Sequence, residues 1–176
     1  MARIEVWNGD ICDLEVDAIV TPANGSLWMS TGIAGAIKRA GGDAIEFAAV
    51  RQAPIEPGGA VVTPAGTLAA RAVIHAVSLD RDRRTTAEIL EGAVRSAMAR
   101  AREISATSIA FPALGSGVGG FPLQEGARIT VATVRDELAA SPSVAHVVFA
   151  LRGAASYQAF SQALQEATTM SSGANA

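Results

Sequence analysis

Ala110-Phe111-Pro112-Ala113-Leu114-Gly115-Ser116-Gly117-Val118-Gly119-Gly120-Phe121-Pro122 is the stretch that decides the fold. The run Ser108-Ile109-Ala110-Phe111 is strand-like, and a helical pattern resumes from about Leu123 to residue 139. Between them, four glycines in six positions let backbone N–H groups approach an anion closely. The helix that follows would bring its positive end to the same place. A flexible turn is the plain alternative, but turns seldom need four glycines.

Outward from this unit, strands and helices alternate. Toward the N-terminus, Ile4-Glu5-Val6-Trp7 alternates apolar and polar residues and stops at Asn8-Gly9-Asp10. Ala18-Ile19-Val20 reads as a buried strand ending at Thr21-Pro22. Ile33, Ala36, Ile37 and Ala40 have helical spacing, Gly41-Gly42 ends that helix, and Asp43 is expected to cap another running to about residue 53. Residues 60–63 and 72–77 are strand candidates, and residues 86–104 a long helix with one apolar stripe from Leu90 to Ala101. Residues 146–151 form a strand run and 156–167 a last helix. The expected fold is α/β, a three-layer α/β/α sandwich with a mixed, mostly parallel sheet. Residues 1–167 are expected to form one domain, and the small polar tail 168–176 to fray.

Composition narrows the classes. Of 176 residues, 49% are hydrophobic and 18% charged, which excludes intrinsic disorder. A net charge of −3 gives no basic field for nucleic acid, so no direct sequence-specific nucleic-acid binding is expected. One cysteine and two histidines are too few for a structural zinc site, and no metal or cofactor is expected. No apolar run approaches the ~20 residues that span a bilayer, and Met1-Ala2-Arg3-Ile4-Glu5 lacks a signal peptide's apolar stretch. The expectation is a cytoplasmic monomer with no membrane partner.

In open α/β sheets, ligands bind beyond the carboxyl ends of strands. Three segments put glycines or small polar residues there: Gly9-Asp10-Ile11, residues 24–35 and residues 115–120. Asp10 suits an exocyclic amine or merely holds a turn. Asn24 carries donor and acceptor for a sugar hydroxyl, or caps its own turn. Thr31-Gly32-Ile33-Ala34-Gly35 opens a helix whose free N–H groups suit phosphate. Cys12 reads as an ordinary buried thiol, His75 as a hydrogen-bonded core histidine, and Arg81-Asp82-Arg83-Arg84 as a solvated loop. Ser116 is no nucleophile elbow, since Leu114 and Val118 stand where that motif needs glycine. Gly115-x-Gly117-x-x-Gly120 also satisfies the dinucleotide fingerprint of an NAD-dependent oxidoreductase. That remote alternative needs an acid after the next strand, where Leu151-Arg152 stands.

Four ordered stretches together resemble the macro domain, the ADP-ribose-binding module. They are Gly9-Asp10-Ile11 with Val16-Asp17-Ala18-Ile19-Val20; Pro22-Ala23-Asn24 leading to Gly32-Ile33-Ala34-Gly35-Ala36-Ile37; Val73-Ile74-His75; and the stretch quoted first. The resemblance implies that Asp10 and Ile11 hold adenine and that Ala23 and Asn24 meet the distal ribose. It places Gly32, Ile33, Ala34 and Gly35 in the first phosphate loop. Gly115, Ser116, Gly117, Val118, Gly119, Gly120 and Phe121 would wrap the diphosphate and distal ribose. Arg152 would cover adenine where the family often has an aromatic.

The departures bear on activity. Hydrolysing members usually have a longer glycine run and an acid where this chain has Ala34. The family's common asparagine is Thr21 here, and an aromatic of the second loop is Gly119. The resemblance therefore implies a module that binds ADP-ribose, free or on a modified macromolecule. The alternative is a hydrolase removing ADP-ribose from proteins, nucleic acid or O-acetyl-ADP-ribose, with Asn24 in the catalytic role.

Overall fold

The computed structural model describes residues 1–173, apart from the side chain of Ser172. In chain order the elements begin with β1 (Arg3–Asn8), a 3-10 turn (Ile11–Asp13), β2 (Ala18–Ala23), α1 (Gly32–Gly41) and α2 (Asp43–Val50). There follow β3 (Ala60–Pro64), β4 (Ala72–Val77), α3 (Ala87–Glu103) and β5 (Ser108–Phe111). The chain closes with α4 (Leu123–Ala140), β6 (His146–Leu151) and α5 (Ala154–Gly173). The six strands form one sheet in the order β1-β6-β5-β2-β4-β3, parallel throughout except for the edge pair β3 and β4.

Strand alternation sorts side chains to the two faces. On β6, Val147, Phe149 and Leu151 join the core under α3, α4 and α5, while Val148 and Ala150 join the core under α1. Phe149 lies between Phe111 and Phe160, with ring centroids 6.3 and 5.2 Å away. The apolar stripe of α3 is wholly buried, and Thr86 caps the helix by accepting from the Ile89 N–H at 3.2 Å. These are the three layers expected.

Four boundaries differ from the expectations. β2 continues through Pro22 to Ala23 because β4 pairs with it that far, whereas β5 pairs only with Ala18 and Ile19. Pro22, with no N–H to donate, sits where β2 has already lost β5 as a neighbour. Gly42, at φ +106°, is the N-cap of α2, and Asp43 is its first residue. Helix α2 ends at Val50, three residues short of residue 53. Helix α5 runs past Ala167 to Gly173, and along this stretch the Thr168, Thr169 and Ser171 hydroxyls donate back to carbonyls four residues earlier. Of the tail expected to fray, residues 174–176 lie outside the described residues.

At the amino ends of the central strands, Asp17 closes the sheet. Its carboxylate accepts from Thr107 N–H at 2.7 Å and pairs with Arg71 at 2.9 Å. At the carboxyl ends the divergence of β2 from β5 leaves a gap. No helix among the described residues is long and apolar enough to cross a membrane.

Candidate functional site

The gap is a cleft of about 560 Å³. Strand order lays out its walls. Asp10, Ile11 and Arg152 follow β1 and β6 at one end, and Ala23, Asn24 and Ser78 follow β2 and β4 at the other. The loop after β5 and the first turn of α1 lie between. From β6 to β4 is three strand spacings, roughly 14 Å. A ligand filling this cleft is elongated and differs at its two ends.

The middle is made of main chain. Among the described residues, the N–H groups of residues 115–119 have no hydrogen-bond acceptor, and neither do those of Gly32, Ile33 and Ala34 at the start of α1. All eight residues line the cleft. Unpaired donors in a nest, opposite the positive end of a helix, form an anion site. Only glycine permits this shape. Gly115 has φ +79°, and a Cβ there or on Gly119 would collide with Thr85. Thr85 is the brace of the loop: its N–H donates to Gly119 O at 3.2 Å and its hydroxyl to Ser78 O at 2.7 Å. Arg39 and Arg83 add charge at the rim, since both line the cleft and neither has an ion-pair partner among the described residues.

At the β2/β4 end, Asn24 caps its own turn. Its Oδ1 accepts from Ser26 N–H and hydroxyl and from Leu27 N–H, at 3.1, 2.6 and 3.1 Å. With the oxygen occupied, the Nδ2 amide remains as a donor for a hydroxyl. Ser78 Oγ is buried at this end without a hydrogen-bond partner. At the β1/β6 end, Asp10 Oδ1 accepts from Cys12 N–H at 2.9 Å, while Oδ2 lies 3.5 Å from Arg152. One carboxylate oxygen holds the turn and the other faces an exposed cation. Among the described residues, Asp10 is the only acidic one lining the cleft, and it stands at the end opposite Asn24.

Buried groups outside the cleft support these walls. Glu46, 5% exposed, accepts from Met29 N–H at 2.7 Å and pairs with Lys38 at 2.8 Å, anchoring the loop between β2 and α1. Burial raises the Glu46 carboxyl pKa, but the Lys38 and Met29 donors outweigh it and hold the group below its ordinary value. His75 is fully buried, its Nε2 2.8 Å from Thr63 Oγ1, and burial pushes its pKa down to about 4. The Cys12 thiol is raised to about 11 by burial and then by Asp10, so it is no nucleophile at neutral pH.

Thirteen of the sixteen candidate residues line the cleft; Gly35, Gly120 and Phe121 do not. Gly35 is buried inside α1, and Phe121 packs on the core. The first turn of α1 lines the cleft, and no residue of α4 does among the described residues. Arg83, read as part of a solvated loop, is exposed but lines the cleft with a φ of +61°. Sequence reasoning missed Arg39, Ser78 and Trp28. Trp28, 53% exposed beside the cleft, was the detectable one: a tryptophan in a polar loop invites a contact.

Comparison with known proteins matches the Macro domain over residues 20–130. An uncharacterized protein of Mycobacterium tuberculosis is 42% identical over 94% of this chain, which spans only 45% of that protein's length. A protein of Salmonella gallinarum named O-acetyl-ADP-ribose deacetylase is 44% identical over 77% of this chain and 79% of its own length. Among solved structures, the Trypanosoma brucei macrodomain in complex with ADP-ribose superposes with a TM-score of 0.84, at 27% identity over 90% of this chain and 68% of that one. An Oceanobacillus iheyensis macrodomain variant with ADPR gives 0.86, at 27% identity over 94% of this chain and 92% of that one. On the family match, the Salmonella relative and the shared architecture, this chain belongs to the macro domain family.

Proposed function

We propose that this chain binds ADP-ribose, free or attached to a macromolecule. One observation carries the reading: eight unpaired N–H groups lie between an acid at one end of the cleft and an amide donor at the other. The diphosphate takes the centre, where main-chain donors bind it without lysine. Adenine lies at the Asp10 end, with its exocyclic amine toward Oδ2, and the distal ribose meets Asn24 Nδ2. The solved macrodomains with ADP-ribose support the assignment, as does the Salmonella relative's name. Calorimetric titration with ADP-ribose, ADP, AMP and NAD tests it. ADP-ribose is expected to bind more tightly than about 30 μM, roughly −6 kcal/mol, with AMP much weaker. Absence of heat with ADP-ribose would overturn the reading.

Hydrolysis of O-acetyl-ADP-ribose is the second reading, favoured by 44% identity to a relative of that name. Against it stands the placement of the cleft's acid at the end remote from Asn24. Acetate release over many turnovers would establish the second reading.

A further inference from the structure

A second depression, of about 380 Å³, adjoins the cleft, and Asn24, Leu79 and Arg83 line both. Its outer wall is the loop after α2, which brings Ile55 and Pro57 to the surface, and the loop after β4, which brings Arg81. Both loops are tied down: Ile55 N–H donates to Gly25 O at 3.0 Å, and Asp80 N–H to Arg84 O at 2.8 Å. These bonds fix the shape of the depression. Two of its charged side chains, Glu56 and Arg81, are exposed and have no ion-pair partner among the described residues.

We infer that this groove seats the polypeptide flanking an ADP-ribosylated side chain. The inference rests on the reading of the main cleft as an ADP-ribose site. A ligand held with its diphosphate in the middle and its distal ribose at Asn24 directs the anomeric carbon away from the diphosphate. A group attached there leaves the cleft past the residues that the two cavities share. Polypeptide suits what it meets. Ile55 and Pro57 offer an apolar wall for side chains, and Glu56, Asp80, Arg81 and Arg83 offer two charges of each sign, a mixture that matches the varied side chains of a polypeptide rather than the uniform charge of a phosphate backbone.

The test uses the full chain and three probes with non-cleavable linkages: free ADP-ribose, a short peptide carrying one ADP-ribosyl group, and a short oligonucleotide carrying one on a terminal phosphate. The peptide conjugate is expected to bind about fivefold more tightly than free ADP-ribose. The double variant Glu56→Ala, Arg81→Ala is expected to lose that advantage and to bind free ADP-ribose unchanged, since neither side chain lines the main cleft. A peptide conjugate no tighter than free ADP-ribose overturns the inference. So does an advantage that survives in the double variant, or one seen only with the oligonucleotide. Failure of free ADP-ribose to bind overturns the cleft reading and this inference with it, a result distinct from the other three.

Discussion

The middle of the cleft and its two ends are built from different materials. The middle is main chain: residues 115–119 and the first turn of α1 contribute N–H groups, and side chains matter there chiefly by being absent. The ends are side chains that already have employment. Asn24 Oδ1 organises its own turn and Asp10 Oδ1 holds the 3-10 turn, so each has only its second polar atom left to offer. Donors fixed by the backbone need no reorganisation on binding and favour any anion of suitable shape. Residues with a double role bind less strongly and discriminate more. Affinity is expected to reside in the middle and selectivity at the ends.

The largest way to break this comparison is Gly117→Glu. A Cβ at Gly117 meets nothing within 4 Å, so the fold tolerates the change while a carboxylate enters the anion path. ADP-ribose affinity should fall at least about 100-fold, or 2.7 kcal/mol, with thermal stability unaltered. Loss of less than about fivefold would remove the loop from the site.

A smaller effect acts on the scaffold beneath the β2/β4 end. His75 stays neutral in the fold to about pH 4, whereas in the unfolded chain it takes a proton below about pH 6.5. The unfolded state thus binds more protons in that window, and stability falls as pH falls. Between pH 7 and 5 the expected loss is roughly 2 kcal/mol, read from urea midpoints. Glu46 and Asp17 have depressed carboxyl pKa values and contribute only below that window. Equal stability at pH 7 and 5 would contradict the buried neutral imidazole.

Asn24→Asp sharpens the comparison most finely. Aspartate keeps an oxygen for the Ser26 and Leu27 donors, so the turn survives, but the Nδ2 donor is lost. Binding of ADP-ribose should weaken about tenfold, or 1.4 kcal/mol, while binding of ADP, which lacks the distal ribose, stays within about twofold. An equal loss for both ligands would place Asn24 against the diphosphate instead.

The elements that were legible in the sequence are those whose cause is local. Burial of Leu90, Ala93, Val94, Ala97, Met98 and Ala101 follows from helical spacing alone, and β4 and β6 from short, mainly apolar runs, that of β4 broken only by His75. Residues 115–119 were legible because main-chain chemistry needs only glycine at the right place between a strand and a helix. Where a boundary depended on a neighbour, spacing was insufficient: β2 passes through Pro22 because β4 is beside it and β5 is not.

The layers, the glycine loop and the family were thus readable from the chain alone, since periodicity, glycine placement and ordered motifs are properties of neighbours along it. The order β1-β6-β5-β2-β4-β3 is not such a property. That order alone sets Asp10 and Asn24 at opposite ends of one cleft and turns the start of α1, rather than α4, toward it. It also brings Arg39, Ser78 and Arg83 to the walls and joins the groove of Glu56 and Arg81 to the cleft at Asn24. These are meetings of residues far apart in the chain, fixed only when long-range strand pairing closes the sheet.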